Sequence, residues 1–108
     1  MEIVALPDYT KQVKRLLTKT ERLAMETAVA ADPLASPVIQ ATGGFRKARW
    51  GRGNRGKSGG VRLIFYYFVT GGKIYLTSIY AKNEKENLTD EECNKLRALS
   101  AEIEDGKA

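Results

Sequence analysis

The sequence contains no histidine and only one cysteine, and both shortages restrict the chemistry available to it. Without an imidazole group, a Ser-His or paired-His mechanism is excluded, so any catalysis must use Lys, Arg, Tyr, Asp or Glu. The single thiol, Cys93, cannot form an internal disulfide, and the sequence has no cluster of metal-ligand residues around it. We therefore predict neither a metal site nor a cofactor. A lone thiol fits a reducing cytoplasm.

Long apolar runs are also missing. No segment approaches the roughly 20 apolar residues of a transmembrane helix, and the N-terminus MEIVALPDYTK lacks the basic start and long apolar stretch of a signal peptide. A soluble protein with no membrane partner is expected. A length of 108 residues permits one modest core, so residues 1–108 are predicted to form a single domain.

Acidic residues are absent from the middle of the chain. The residues between Asp32 and Glu84 include no Asp or Glu, whereas the flanking segments are neutral or net acidic. A charge focused in this way attracts polyanions, and seven of its nine cations lie between Gly43 and Arg62 among glycines and aromatics. A nucleic-acid site is therefore favoured over a basic surface that only confers solubility. The nine cations are Arg46, Lys47, Arg49, Arg52, Arg55, Lys57, Arg62, Lys73 and Lys82.

Hydrophobic periodicity predicts the secondary structure. Residues 2–6 alternate as in a short strand, and Val13, Leu16 and Leu17 then follow helical spacing. Thr18 and Glu21 have the spacing of a capping box, so a second helix follows the first and forms a helical hairpin with it. A second capping box, at residues 89 and 92, predicts a C-terminal helix.

Three strands are predicted between these helices. From Phe45 the period is two, so Ala48 and Trp50 share one face of a strand while Lys47 and Arg49 share the other. Residues 61–69 are aromatic and β-branched, and a turn at residues 70–72 leads into a strand at 73–80. The prediction is an α+β fold of order β-α-α-β-β-β-α. It has an antiparallel sheet, an N-terminal helical hairpin and a C-terminal helix.

Residues 51–58, GRGNRGKS, match the phosphate-loop pattern of nucleotide hydrolases. That loop requires a helix beginning at its Lys-Ser and an acid that helps to hold magnesium. Here Gly59 and Gly60 lead into a strand, so the match is interpreted as a coincidence and nucleotide hydrolysis is not expected. Arg52, Arg55 and Lys57 on this loop are predicted to contact RNA phosphates instead.

The strand pattern suggests a cleavage centre that needs neither metal nor histidine. Lys47, Arg49 and Arg62 are expected to converge on one patch, where fixed cations stabilise the negative charge that develops when an RNA 2′-hydroxyl attacks the adjacent phosphate. Lys47, deprotonated with the help of neighbouring cations, is a candidate base. Tyr66 and Tyr80 are candidate proton donors, although core packing is a competing interpretation for both. For Lys47 and Arg49, the competing interpretation is that they lie on the solvent-exposed face of the sheet. Trp50 is expected in the core.

Three segments together resemble the RelE/HigB superfamily of bacterial toxins: GGFRKARW at 43–50, GKSGGVRLIFYY at 56–67 and IYAKNE at 79–84. The predicted order of elements is similar to that fold. The resemblance implies a toxin that enters the ribosomal A site and cuts messenger RNA there, neutralised by a cognate antitoxin. In the HigB-like branch, which this sequence resembles, the antitoxin usually carries a helix-turn-helix.

The resemblance also implies which residues act. It places the basic pair of the family's second strand at Lys47 and Arg49, the arginine that opens the third strand at Arg62, and the basic residue after the fourth strand at Lys82. Arg46 joins the predicted RNA-binding set. The family's tyrosine near the C-terminal helix is replaced by Leu88, so its role is vacant or passes to one of the two tyrosines named above.

Two other functions remain open. ParE-like relatives share the fold but inhibit DNA gyrase without cutting RNA, and a plain RNA-binding module would use the basic loop only to follow the phosphate backbone. Converging cations favour the nuclease, because a binder has no need of several donors on one phosphate.

Overall fold

A computed structural model of the chain describes residues 1–51 and 60–107. The predicted order of elements is confirmed. Residues 52–58 of the phosphate-loop match, which include the three loop cations at 52, 55 and 57, lie outside the described residues. None of the helices formed by the described residues has the length and apolar composition needed to cross a membrane. The elements are β1 (Glu2–Ala5), α1 (Pro7–Leu16), α2 (Lys19–Ala31), a 3₁₀ turn (Pro33–Ala35), β2 (Arg46–Trp50), β3 (Val61–Phe68), β4 (Lys73–Ala81) and α3 (Asp90–Glu104).

The four strands form one sheet in the order β1-β4-β3-β2. β2, β3 and β4 are antiparallel neighbours, as expected, but β1 pairs in parallel with β4, so the sheet is mixed. Parallel neighbours cannot be joined by a tight turn, and here the whole helical hairpin and two further strands separate β1 from its partner. Alternation within a strand contains no information on the direction of its partner, which is why the sequence did not show this pairing.

Both predicted capping boxes are present. The Thr18 side chain accepts the backbone N–H of Glu21 at 3.1 Å, and the carboxylate of Glu21 accepts the N–H of Thr18 at 2.9 Å. Thr89 and Glu92 make the same reciprocal bonds at 3.1 and 2.8 Å. Each box satisfies N–H groups that a helix start leaves without partners, so α2 and α3 begin where the sequence placed them.

The sheet has an apolar cluster on each face. The hairpin face, covered by α1 and α2, buries Val61, Leu63 and Phe65 of β3 against side chains that include Val13 and Met25. The α3 face buries the intervening residues of the sheet together with α3. Alternate residues of one strand therefore serve two different cores. The buried members on the α3 face are Phe45, Ile64, Tyr66, Tyr75, Tyr80 and Ile103.

An irregularity in β4 determines which of its last residues face α3. Ile64 pairs with Ser78, whereas Phe65 pairs with Leu76, so Thr77 is an additional residue in the ladder. Such a β-bulge shifts the alternation of the following residues by one. As a result, Tyr80 faces the α3 side, directly opposite Arg62.

Candidate active site

The cationic residues of β2 and β3 lie next to one another at one end of the sheet. Arg49 is the direct partner of Arg62 across β2 and β3, and Lys47 is the partner of Ile64. Cβ atoms of direct partners in an antiparallel pair are about 4.5–5.5 Å apart. Alternate residues share a face, so all three cations lie on the α3 side of the sheet.

A cavity of about 210 Å³ lies at this end of the α3 face. A water molecule occupies about 30 Å³ in the liquid, so a phosphate group has room to enter. Four cationic side chains and one carboxylate surround the cavity. The lining residues are Lys47, Arg49, Arg62, Lys82, Glu86 and Asn87.

Arg62 is the most buried of these cations, with a relative exposure of 5 %. Its Nη1 donates to the carbonyl oxygen of Val61 at 3.2 Å, and its neighbours in the sheet are Arg49 and Tyr80. Lys82, by contrast, is exposed. Arg62 therefore has the most restricted side chain of the set, as electrostatic stabilisation of a transition state requires.

A glycine allows the strand ends to approach so closely. A Cβ added at Gly60 would lie 2.0 Å from the carbonyl oxygen of Trp50, so no other residue fits there without movement of the backbone. The Gly60 carbonyl also accepts the N–H of Lys82 at 3.0 Å. The glycine before β3 thus brings the ends of β2 and β4 together beside Arg62.

Ion pairs hold the connection between β4 and α3, which contains Lys82, Glu86 and Asn87. The carboxylate of Glu84 accepts two bonds from the guanidinium of Arg15 on α1, at 2.8 and 3.1 Å, and also the N–H of Ala81 at 3.3 Å. Lys85 pairs with Glu92 in the first turn of α3. Bonds from Lys85 and Thr89 offset the effect of burial on Glu92 and lower its pKa.

Tyr66 and Tyr80 do not line the cavity. The Tyr66 hydroxyl donates to Glu104 of α3, and burial together with that carboxylate raises the pKa of Tyr66 to about 12. The Tyr80 ring lies 5.3 Å from the ammonium of Lys85, and its buried hydroxyl has no hydrogen-bond partner within residues 1–51 and 60–107. Burial raises the pKa of Tyr80 while the charge of Arg62 lowers it, with a net upward shift.

Other predicted residues lie elsewhere. Arg46 donates to the carbonyl oxygen of Ser36 at 2.7 Å, so it braces the segment that leads into β2 rather than the cavity. Leu88 packs against the apolar cluster on the α3 face, which explains how a hydrophobic side chain is accommodated there. Trp50 packs against the core on the hairpin face, as expected, but is only partly buried.

Glu86 and Asn87 were not predicted. They follow the end of β4 by several residues in an irregular connection, where no periodicity indicates orientation. The only available signal was their position beside Leu88, to which the resemblance had already drawn attention. In the described part of the chain, no three Cys, Asp or Glu side chains are grouped as metal ligands would be.

Comparison with known families gives a match over nearly the whole chain. A family model described as the RelE toxin of the RelE/RelB toxin-antitoxin system matches residues 9–108. The matched range contains every residue that lines the cavity. The match concerns the whole family, so assignment to the HigB-like branch stays a prediction.

Proposed function

This chain belongs to the RelE toxin family, and we propose that it is a ribosome-dependent endoribonuclease that cleaves messenger RNA in the A site. Family membership makes it the toxin of a toxin-antitoxin system, with a cognate antitoxin as partner. Ribosome and messenger RNA are its proposed cytoplasmic partners. The observation that carries the proposal is the arrangement of Lys47, Arg49, Arg62 and Lys82 around one cavity.

The proposed reaction uses the nucleophile of the RNA itself. The 2′-oxygen attacks the adjacent phosphorus, the bond from phosphorus to the 5′-oxygen breaks, and the products are a 2′,3′-cyclic phosphate and a 5′-hydroxyl. Negative charge on the phosphoryl oxygens increases in the transition state. Fixed cationic donors stabilise that charge more than the charge of the ground state, and this difference accelerates the reaction.

The four cations have different roles in this proposal. Buried Arg62 acts as the fixed donor to a phosphoryl oxygen, because its burial restricts its movement. Lys47 and Arg49, side by side on β2, hold the same phosphate from the adjacent strand. Exposed Lys82 contacts the RNA backbone at the entrance. The roles of Tyr66 and Tyr80 as direct donors find less support, because neither side chain borders the cavity.

A requirement for the ribosome fits a small enzyme with an open cationic site. Such a site attracts any RNA backbone, but rapid cleavage also needs the 2′-oxygen, phosphorus and leaving oxygen in line. The A site would hold the messenger in that geometry. We also propose that the antitoxin is a helix-turn-helix protein. An acidic segment of it would neutralise the toxin by binding the same cationic side chains.

Primer extension on messenger RNA tests the proposal. In translating extracts the wild-type protein should produce cuts at defined positions within codons, and naked RNA should remain intact. Arg62→Ala should reduce cutting about 10²- to 10³-fold while retaining most ribosome binding. Lys73→Ala is the matched control, since it removes a cation at the other end of β4, and it should cut normally.

Two results would contradict the proposal. Equal cutting of naked RNA would remove the role of the ribosome. If neither substrate is cut and Arg62→Ala only weakens RNA binding and its salt dependence, the protein is a binder.

A further inference from the structure

We propose that Glu86 is the general base that removes the proton from the attacking 2′-hydroxyl. The inference rests on the proposed nuclease function and concerns a residue that neither periodicity nor the family resemblance indicated. Its starting point is the composition of the cavity wall: among the lining residues that the structure describes, Glu86 is the one carboxylate.

The other groups on the wall are poor proton acceptors at neutral pH. A guanidinium is not deprotonated in proteins, which excludes Arg49 and Arg62, and an amide such as that of Asn87 is not basic. A lysine ammonium must first lose its own proton before it can accept another. A carboxylate needs no such step. It is also the type of group that serves as general base beside cations in many active sites.

The two residues before Glu86 are each held by an ion pair to a helix. Glu84, two residues earlier, makes a two-bond ion pair with Arg15 of α1. Lys85, immediately before Glu86, pairs with Glu92 in α3. These contacts connect the segment to two helices, so the position of Glu86 at the cavity depends on packed elements and not on a free loop.

The proposed step conserves atoms and charge. The proton of the 2′-hydroxyl moves to Glu86 as the 2′-oxygen bonds to phosphorus. The leaving 5′-oxygen takes a proton from a lysine ammonium of the same cavity, Lys47 or Lys82. The protonated carboxyl group then returns its proton to that lysine through solvent. No water, metal or redox partner is consumed.

Removal of the Glu86 charge should have opposite effects on binding and on chemistry. Lys47 and Arg49 of β2, Arg62 of β3 and Lys82 after β4 all face the same cavity. A phosphate entering it is repelled by the carboxylate, so its removal should leave RNA affinity unchanged or increase it. The cleavage rate, however, should fall by roughly 10²- to 10⁴-fold, the usual contribution of a general base. A side chain that only maintains structure would not give this combination.

The experiment compares Glu86→Gln with wild type in single-turnover cleavage of messenger RNA on programmed ribosomes, over a range of pH. We expect a decrease in the cleavage rate without weaker ribosome binding, and loss of the low-pH limb of the wild-type rate profile, which reports the ionised base. Glu102→Gln on the exposed side of α3 removes the same charge away from the cavity and should behave as wild type. Added formate should partly restore cutting by Glu86→Ala and by no other variant.

The outcomes separate the two proposals. If wild type cuts translated messenger and Glu86→Gln cuts at a similar rate with the same pH profile, Glu86 is not the base although the nuclease proposal stands. Reduced cutting accompanied by weaker binding, with no change in the pH profile, would also overturn the inference. If wild type itself cuts nothing, the nuclease function fails and the inference fails with it.

Discussion

The two faces of the sheet are built from the same strands but are used differently. On the hairpin face, consecutive inward residues of β3, namely Val61, Leu63 and Phe65, are all apolar and fully buried beneath two helices. On the α3 face, the inward residues of the same strand change from Tyr66 and Ile64 to Arg62. One face is therefore apolar along its whole length, whereas the other is apolar for half and cationic for the rest.

β2 shows the same change of character. Phe45, immediately before β2, belongs to the apolar cluster, and the next two residues on its face are Lys47 and Arg49. A single helix, α3, covers the apolar half of this face, and the cationic half lies beyond it beside the connection that precedes the helix. In a small domain, one face of the central sheet can therefore carry a functional site if the other face supplies a continuous apolar core.

The largest expected effect on stability comes from replacing, one at a time, two adjacent residues of β3 whose side chains face opposite sides of the sheet. Leu63→Ala should lower the free energy of unfolding by about 2–5 kcal/mol, because it opens a cavity in the continuous core. Arg62→Ala should lower it by less, because burial of the guanidinium carries its own desolvation cost, while cleavage falls about 10²- to 10³-fold. Urea unfolding and the cleavage assay on both variants check this. Comparable destabilisation by the two variants would contradict the division of roles between the faces.

Removing a tyrosine hydroxyl from either face of the sheet is expected to have a smaller effect on stability. On the hairpin face, the Tyr9 hydroxyl donates to Glu26 at 2.6 Å, and Arg22 pairs with the same carboxylate at 2.9 Å. Tyr9→Phe should cost about 1.5–3 kcal/mol, the usual range for a hydrogen bond to a charged group. Tyr66→Phe should cost less, because its partner Glu104 is exposed and can be hydrated. Thermal and urea unfolding of both variants measure the difference, and a larger effect at Tyr66 would reverse the comparison.

Alkaline pH tests the same tyrosines without mutation. The pKa of Tyr66 is about 12 in the folded protein, and burial with the bond to Glu26 raises that of Tyr9 as well. An unfolded tyrosine ionises near pH 10. Because the folded pKa is the higher one, this contribution to stability is complete below about pH 10 and is lost as the pH rises through the folded pKa. Tyrosine absorbance and urea unfolding from about pH 9 upward should show late ionisation and falling stability. Tyr66→Phe should lose less stability than wild type over that range.

The smallest effect on stability is expected from the ion pair that supports the connection after β4. Arg15 and Glu84 are about half exposed, so solvent screens their attraction and Arg15→Ala should change the free energy of unfolding only slightly. Cleavage should nevertheless fall, by less than the roughly 10²-fold associated with a 1 Å misplacement, because Lys82 and Glu86 lose part of their support. Arg97→Ala, on the exposed surface of α3, is the control and should leave the cleavage rate unchanged.

Much of this architecture can be predicted from residues that are close together in the sequence. The capping boxes at Thr18 and Thr89 specify where two helices begin, because each depends on residues only three positions apart. The faces of β2 and β3 follow from alternation, which correctly placed Lys47, Arg49 and Arg62 on the same side of the sheet. The positions of the candidate proton donors could not be predicted in this way, because the position of a tyrosine hydroxyl depends on partners that are distant in sequence, such as Glu104 for Tyr66.

By itself, the sequence determined the elements, the apolar and cationic faces and the concentration of positive charge, because these depend on spacing and composition over a few residues. Only the tertiary structure decided that β1 lies parallel to β4, that Glu86 borders the cavity, and that neither Tyr66 nor Tyr80 does. These features arise from contacts between distant segments, such as that between Arg15 and Glu84, which no local pattern encodes.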